Sequence, residues 1–149
     1  MKRVAVILSG CGVYDGAEIH ESVLTLLALD RGGARVQCLA PNRPQLHVVN
    51  HLNGEATAEA RNVLVESARI ARGSVKELAQ ADPADYDAAI LPGGYGAATN
   101  LSDFASKVKD CTVLPELVRF VRGLAEAGKP VGFLCIAPAM IPAIYGAGA

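Results

Sequence analysis

The sequence has little net charge, no basic tract, no Cys-X-X-Cys pair and no long apolar run. Charged residues make up 19% of its 149 positions, and 14 basic against 15 acidic side chains leave a formal net charge of −1. A chain so balanced offers no electrostatic footprint for nucleic acid or anionic lipid, and neither is expected as a partner. No apolar stretch approaches the roughly 20 residues of a bilayer span, so no membrane is expected. Met1 to Leu8 passes from two basic residues straight into a β-branched run without a cleavage signal, so it does not read as a signal peptide. The four cysteines, Cys11, Cys38, Cys111 and Cys135, have no regular spacing. That pattern predicts a reduced, cytoplasmic setting. No His, Cys, Asp or Glu cluster has ligand spacing, so no metal is expected.

What the chain does have is apolar residues at 51%, enough for one packed domain over residues 1–149. Arg3 to Leu8, Ala34 to Ala40, Asp87 to Leu91 and Pro130 to Leu134 read as short buried strands. Ala17 to Leu29, Ala58 to Ala71 and Leu114 to Ala127 carry apolar residues at helical spacing. Ala137 to Tyr145 is helical if Pro138 occupies the first turn. Pro41 to Gly54 reads as an irregular loop, and Ser74 to Ala79 as a short turn. Strands alternating with helices predict βαβ units and a parallel sheet covered on both faces. In such sheets the ligand site lies beyond the carboxyl ends of the strands. Here those ends run into Ser9–Gly16, Pro92–Asn100 and Cys135–Ala139.

Cys135 sits where a strand gives way to a helix, the setting of a nucleophile elbow, and a helix amino terminus favours the reactive thiolate. Against this stands the commoner buried, inert cysteine, the reading given to mid-strand Cys38. Cys11 faces the same sheet edge as Cys135 and is a candidate neighbour or second thiol. Gly93 and Gly94 either form a plain turn or let a backbone amide join that of Ile136 as an oxyanion donor. Glu18 opens the first helix. It either acts in the crevice as a general acid/base with a raised pKa or simply complements the helix dipole. Glu21 and Ser22 share its helical face. His20, His47 and His51 offer no base for Cys135. The Ser9–Tyr14 run starts like a dinucleotide fingerprint, but Asp15 stands where the third glycine belongs and no acid follows strand two. No cofactor is expected.

Four segments, SGCGVYDGAEIHE (Ser9 to Glu21), NHLNGE (Asn50 to Glu55), LPGGYGAATNLSDFA (Leu91 to Ala105) and GFLCIAPAM (Gly132 to Met140), resemble the PfpI/ThiJ superfamily of class I glutamine amidotransferase-like proteins. Within it the chain is similar, over its whole length, to the branch of isoprenoid biosynthesis proteins with an amidotransferase-like domain. The resemblance implies an α/β, flavodoxin-like three-layer sandwich with a mostly parallel sheet. It also implies Cys135 in the elbow, Glu18 beside its sulfur, and an oxyanion pocket from the amides of Gly94 and Ile136. The implied activity is a glutathione-independent, cofactor-free glyoxalase converting glyoxal, a small dicarbonyl, to glycolate, or a protein deglycase. The alternative is a non-catalytic redox-sensing or regulatory module. Homodimers are common among such relatives. Two departures bear on these expectations. Ile136 and Ala137 follow Cys135 where more active branches carry a histidine, which implies slow turnover and leaves no amidotransferase triad. The family also continues with further strands and a terminal helix, so the chain is expected to lack its C-terminal elements.

Overall fold

A computed structural model describes residues Met1–Ala149. Five short strands form one parallel sheet: β1 (Arg3–Ile7), β2 (Arg35–Ala40), β5 (Val75–Glu77), β6 (Ala88–Leu91) and β7 (Val131–Phe133), ordered β5-β2-β1-β6-β7. Central β1 pairs with β2 from Arg3↔Arg35 to Ile7↔Leu39 and with β6 from Val4↔Ala88 to Val6↔Ile90. Alternate side chains of these strands point to opposite faces, and each face carries its own core. Ala5, Ile7, Leu39, Ala89 and Leu91 pack with Leu117, Phe120, Val121 and Leu124 of helix α5 (Pro115–Glu126). Val6, Leu8, Cys38 and Ala40 face Leu26 and Leu29 of α1 (Ile19–Arg31) and Leu64 and Ile70 of α2 (Val63–Ala71). This is the expected three-layer, flavodoxin-like arrangement. No helix is long and apolar enough to cross a membrane.

Helix α5 matches its sequence signature closely. Pro115 occupies its first turn and Gly128, at φ +70°, lies just beyond its end. Three segments differ from the sequence reading. The helix expected from Ala58 begins only at Val63, because the backbone before it is engaged elsewhere. Gln45 donates to the Arg61 carbonyl, Pro44 and Asn62 form an antiparallel bridge, and Asn62 caps α2 by accepting from the Val65 N–H at 3.0 Å. The expected turn after Ser74 contains β5, an edge strand whose Val75–Glu77 pair with Cys38–Ala40 of β2. Inside the expected loop, β3 (Val49–Asn50) and β4 (Glu55–Ala56) form a small antiparallel hairpin. At the opposite edge β7 leaves Gly132 and Leu134 exposed.

Phe120 is fully buried and meets Tyr86 edge to face at 5.5 Å between ring centroids. Phe120→Ala is expected to lower unfolding free energy by about 3–5 kcal/mol, the range for emptying an aromatic core site. Urea unfolding measures it, and a loss below about 1 kcal/mol would contradict this account of the core.

Candidate active site

Three loops converge at the carboxyl edge of the sheet. After β1 the chain turns through Gly12, whose N–H donates to Ala17 and whose carbonyl accepts from Gly16. After β6 it turns through Gly93 and Gly94, and the short helix α3 (Gly96–Thr99) follows. Backbone bonds stitch the two turns together: Glu18 N–H to the Gly93 carbonyl at 2.9 Å, Gly96 N–H to Gly16 at 2.9 Å and Tyr95 N–H to Val13 at 2.8 Å. Asn100 completes the join. Its buried amide donates to the carbonyls of Ser9 and Asp15 at 2.9 Å and accepts from the Leu46 N–H at 3.0 Å. The buried Asp15, set where a dinucleotide fingerprint needs glycine, accepts from the Val49 N–H at 2.9 Å and so anchors the β3–β4 hairpin.

The third loop carries Cys135. Leu134 still donates to Leu91 of β6 as a continuation of the sheet, and a 3₁₀ turn then begins at Ala137 and leads into α6 (Ile141–Tyr145). Between them Cys135 adopts φ +55°, a left-handed conformation uncommon for a residue with a Cβ, and its side chain is exposed. The strand-to-helix junction read from the sequence is thus a sharp, strained turn followed by four residues of 3₁₀ helix.

Gly93 lies directly beneath it. A Cβ on Gly93 would stand 2.5 Å from the Cys135 Cβ, 2.8 Å from Glu21 Oε1 and 3.0 Å from the Leu134 carbonyl oxygen. Cys135 and the Glu21 carboxylate therefore flank one small space, and Glu21 is held there by the Gly93 N–H at 3.0 Å. Gly94, at φ +95°, has no room for a side chain either, since a Cβ would meet the Glu18 nitrogen at 2.5 Å and the Ala17 carbonyl carbon at 2.9 Å. The N–H groups of Gly94 and Ile136 donate to no acceptor within the chain.

Glu18 requires a correction. Its carboxylate does not have the raised pKa expected of an acid in an apolar crevice. It is the N-cap of α1, with Oε2 accepting from the Glu21 N–H at 2.6 Å and Oε1 paired with His20 Nδ1 at 3.1 Å. Burial pushes its pKa up, but these hydrogen bonds outweigh burial and hold the carboxyl below its ordinary value. Sequence reading placed Glu21 only on the same helical face. The signal was Glu18's own position: it immediately precedes the first periodic apolar residue, so it serves as cap and leaves Glu21, three residues on, free to face the loop after β6.

Burial holds the other thiols protonated. Cys38 is in the core, its pKa pushed up to about 11, and those of Cys11 and Cys111 are raised by burial as well. Near Cys11, Arg69 and Arg61 partly offset burial, while Glu66 and Asp15 add to it. All four cysteines are unpaired. His51 is held between the Tyr14 N–H at 3.1 Å and the Val49 carbonyl at 3.0 Å, so the bonds of neither His20 nor His51 reach Cys135. No group of His, Cys, Asp or Glu is placed to hold a metal. Because its folded pKa is depressed, the Glu18 cap stabilises the protein fully above the ordinary carboxyl pKa, and that contribution is lost as pH falls through the lower folded value. Glu18→Gln is therefore expected to be less stable than wild type at pH 7 by about 1 kcal/mol. The gap should close in thermal unfolding near pH 3, and a gap constant with pH would contradict the assignment.

Comparison with known proteins agrees with this architecture. Residues 2–144 match the DJ-1/PfpI family. The human glutamine amidotransferase-like class 1 domain-containing protein 3, mitochondrial, is 56% identical over 139 residues, 93% of this chain and 52% of that protein. The rat ES1 protein homolog, mitochondrial, is 56% identical over the same shares. The chain thus spans about half the length of these relatives. A crystal structure of an isoprenoid biosynthesis protein with amidotransferase-like domain from Ehrlichia chaffeensis superposes with a TM-score of 0.93 at 46% identity, covering 99% of this chain and 70% of that one. The mitochondrial relatives overturn the expected cytoplasmic setting. Unpaired cysteines persist in any reducing compartment and do not separate one from another. With the match running from residue 2 to 144 and these relatives alongside it, the chain belongs to the DJ-1/PfpI family.

Proposed function

We propose that the chain is a cysteine-dependent, glutathione-independent glyoxalase that converts glyoxal to glycolate. The observation that carries this reading is the meeting of an exposed thiol on a strained turn with a carboxylate across Gly93, beside two N–H groups without acceptors. The Cys135 thiolate adds to one aldehyde carbon, and the resulting hemithioacetal oxygen is held by the N–H groups of Gly94 and Ile136. The Glu21 carboxylate takes the proton from that carbon, giving an enediol, and returns it to the neighbouring carbon. The product is a thioester of glycolic acid. Water cleaves it, releasing glycolate and a proton and restoring the thiol, so one water is consumed per glyoxal.

In this proposal the proton relay is assigned to Glu21 in place of Glu18. Both Glu18 oxygens are occupied by the helix cap and His20, whereas Glu21 Oε2 takes no bond from the chain. Glu18 acts as a positioning residue, fixing the start of α1 against Gly93 through its backbone. No histidine follows Cys135, so the hydrolysis step lacks an imidazole base and turnover is slow.

The exposure of Cys135 alone among four otherwise shielded thiols supports a second reading, a redox sensor in which this sulfur is oxidised to sulfenic or sulfinic acid. A steady-state assay of glycolate formation from glyoxal separates the two. Cys135→Ser is expected to abolish turnover, and Glu21→Gln to lower kcat by about 10²–10⁴-fold, the usual contribution of a positioned acid/base. Glu18→Gln is expected to retain kcat within about tenfold of wild type, since it changes a cap and leaves the relay in place. Wild-type levels of glycolate from Cys135→Ser would refute the glyoxalase. Absent turnover with peroxide-selective oxidation of Cys135 by mass spectrometry would establish the sensor instead.

A further inference from the structure

The opposite edge of the sheet carries an unassigned cluster of cations. Arg3 begins β1 and Arg35 begins β2, and the two are direct register partners on neighbouring strands. Side-chain alternation puts both on one face, since Ala5, Ile7 and Leu39 on that face belong to the α5 core while Val6, Cys38 and Val36 belong to the other. Lys76 of edge strand β5 pairs with Leu39 and lies opposite Val75, which puts it on the same face. Arg3 and Arg35 thus stand side by side where the α5 layer ends, and Lys76 lies on the same face four residues further along β2, level with Leu39.

They line a cavity of about 240 Å³ together with Gln37, Asp85 and Tyr86. None of the three cations has a carboxylate within 4 Å. Asp87 is engaged by the Arg3 backbone N–H at 2.8 Å, and the Gln37 amide donates to the carbonyls of Cys38 and Ser74. The Tyr86 ring is buried against Phe120, and the residue lines the cavity. Burial and the Asp85 carboxylate in the same lining raise its pKa, with Arg3 opposing them. Like charges directly opposite one another on paired strands are destabilising. A lysine on an edge strand has a reason of its own, since it blocks edge-to-edge pairing. Two unpaired arginines at the starts of interior strands do not.

We propose that this corner is a binding site for a small phosphate-type dianion, orthophosphate or a short phosphate monoester, held by Arg3, Arg35 and Lys76 with the Tyr86 hydroxyl as a neutral donor. Planar guanidinium forks match phosphate oxygens, and the ammonium adds a point charge. The volume falls below the roughly 300–1,000 Å³ of pockets for drug-sized ligands, which favours a small anion over a nucleotide. The two arginines lie at the amino ends of β1 and β2, Lys76 reaches the cavity from β5, and the site shares no residue with Cys135, Glu21 or Gly93.

The test is calorimetric titration of the 149-residue protein with orthophosphate and with glycerol phosphate at constant ionic strength, paired with thermal unfolding. Saturable binding is expected, weakened about tenfold or more by Arg35→Gln through the loss of charge-assisted hydrogen bonds. In chloride alone, Arg35→Gln is expected to unfold at or above the wild-type temperature, because the like-charge pair is relieved. If that variant fails to fold, Lys76→Gln on the edge strand provides the same comparison. Tighter binding of glycerol phosphate identifies a monoester as the natural ligand, and equal or weaker binding identifies free phosphate. A rise in Tm that never saturates and is identical in the variants, or an affinity changed less than twofold by Arg35→Gln, would overturn the proposal.

Discussion

The close approach of the loop after β6 to the start of α1 governs the carboxyl edge of this sheet. Gly94 passes so near Gly16, Ala17 and Glu18 that no Cβ fits between the two backbones, and the hydrogen bond from the Glu18 N–H to the Gly93 carbonyl closes the contact. Everything chemical follows from that distance. With the first turn of α1 locked against Gly93, the carboxylate one turn into the helix reaches the Gly93 N–H, on the side of Gly93 that also faces Cys135. A side chain at Gly93 would occupy the space that the thiol and the carboxylate share.

The same contact divides labour between two glutamates three residues apart. A helix start leaves N–H groups without partners, and Glu18 supplies one acceptor while also pairing with His20. Its charge is thereby stabilised and its pKa lowered, the opposite of what a general acid near neutral pH requires. Glu21 instead accepts from a loop N–H with one oxygen only. The arrangement yields a capped helix and a second carboxylate left available, a distinction set by hydrogen-bond inventory rather than by residue type.

Much of this was legible in the residues. The β-branched runs located β1, β2 and β6, and Pro115 with Gly128 bracketed α5, because strong periodicity and helix punctuation are local signals. The glycine loop and Cys135 were placed at the correct edge by the rule for parallel sheets. What was not legible depended on distant partners. The three-residue β5 acquires its strand character only from pairing with β2, and the start of α2 is set by Asn62 and by bonds from residues near Arg43. The roles of Glu18 and Glu21 turn on a single helical turn of register, while the position of a helix boundary from sequence is good only to a few residues. A two-residue difference between Ala17 and Ile19 as the start was enough to exchange cap and crevice.

Parallel topology also explains why the molecule has two chemically unlike ends. Because every strand runs the same way, all strand ends gather at one edge and all strand starts at the other. The ends open into glycine loops that carry the N–H groups of Gly94 and Ile136, without acceptors in the chain, and the one exposed thiol, Cys135. The starts bring Arg3 and Arg35 into register, concentrating positive charge that no carboxylate meets within 4 Å. An antiparallel sheet would have interleaved these groups and mixed the two characters. In this fold the buried β1 separates them, joining the cationic corner at Arg3 to the carboxyl-edge loop at Ser9 through Ala5 and Ile7 on one face and Val6 and Leu8 on the other.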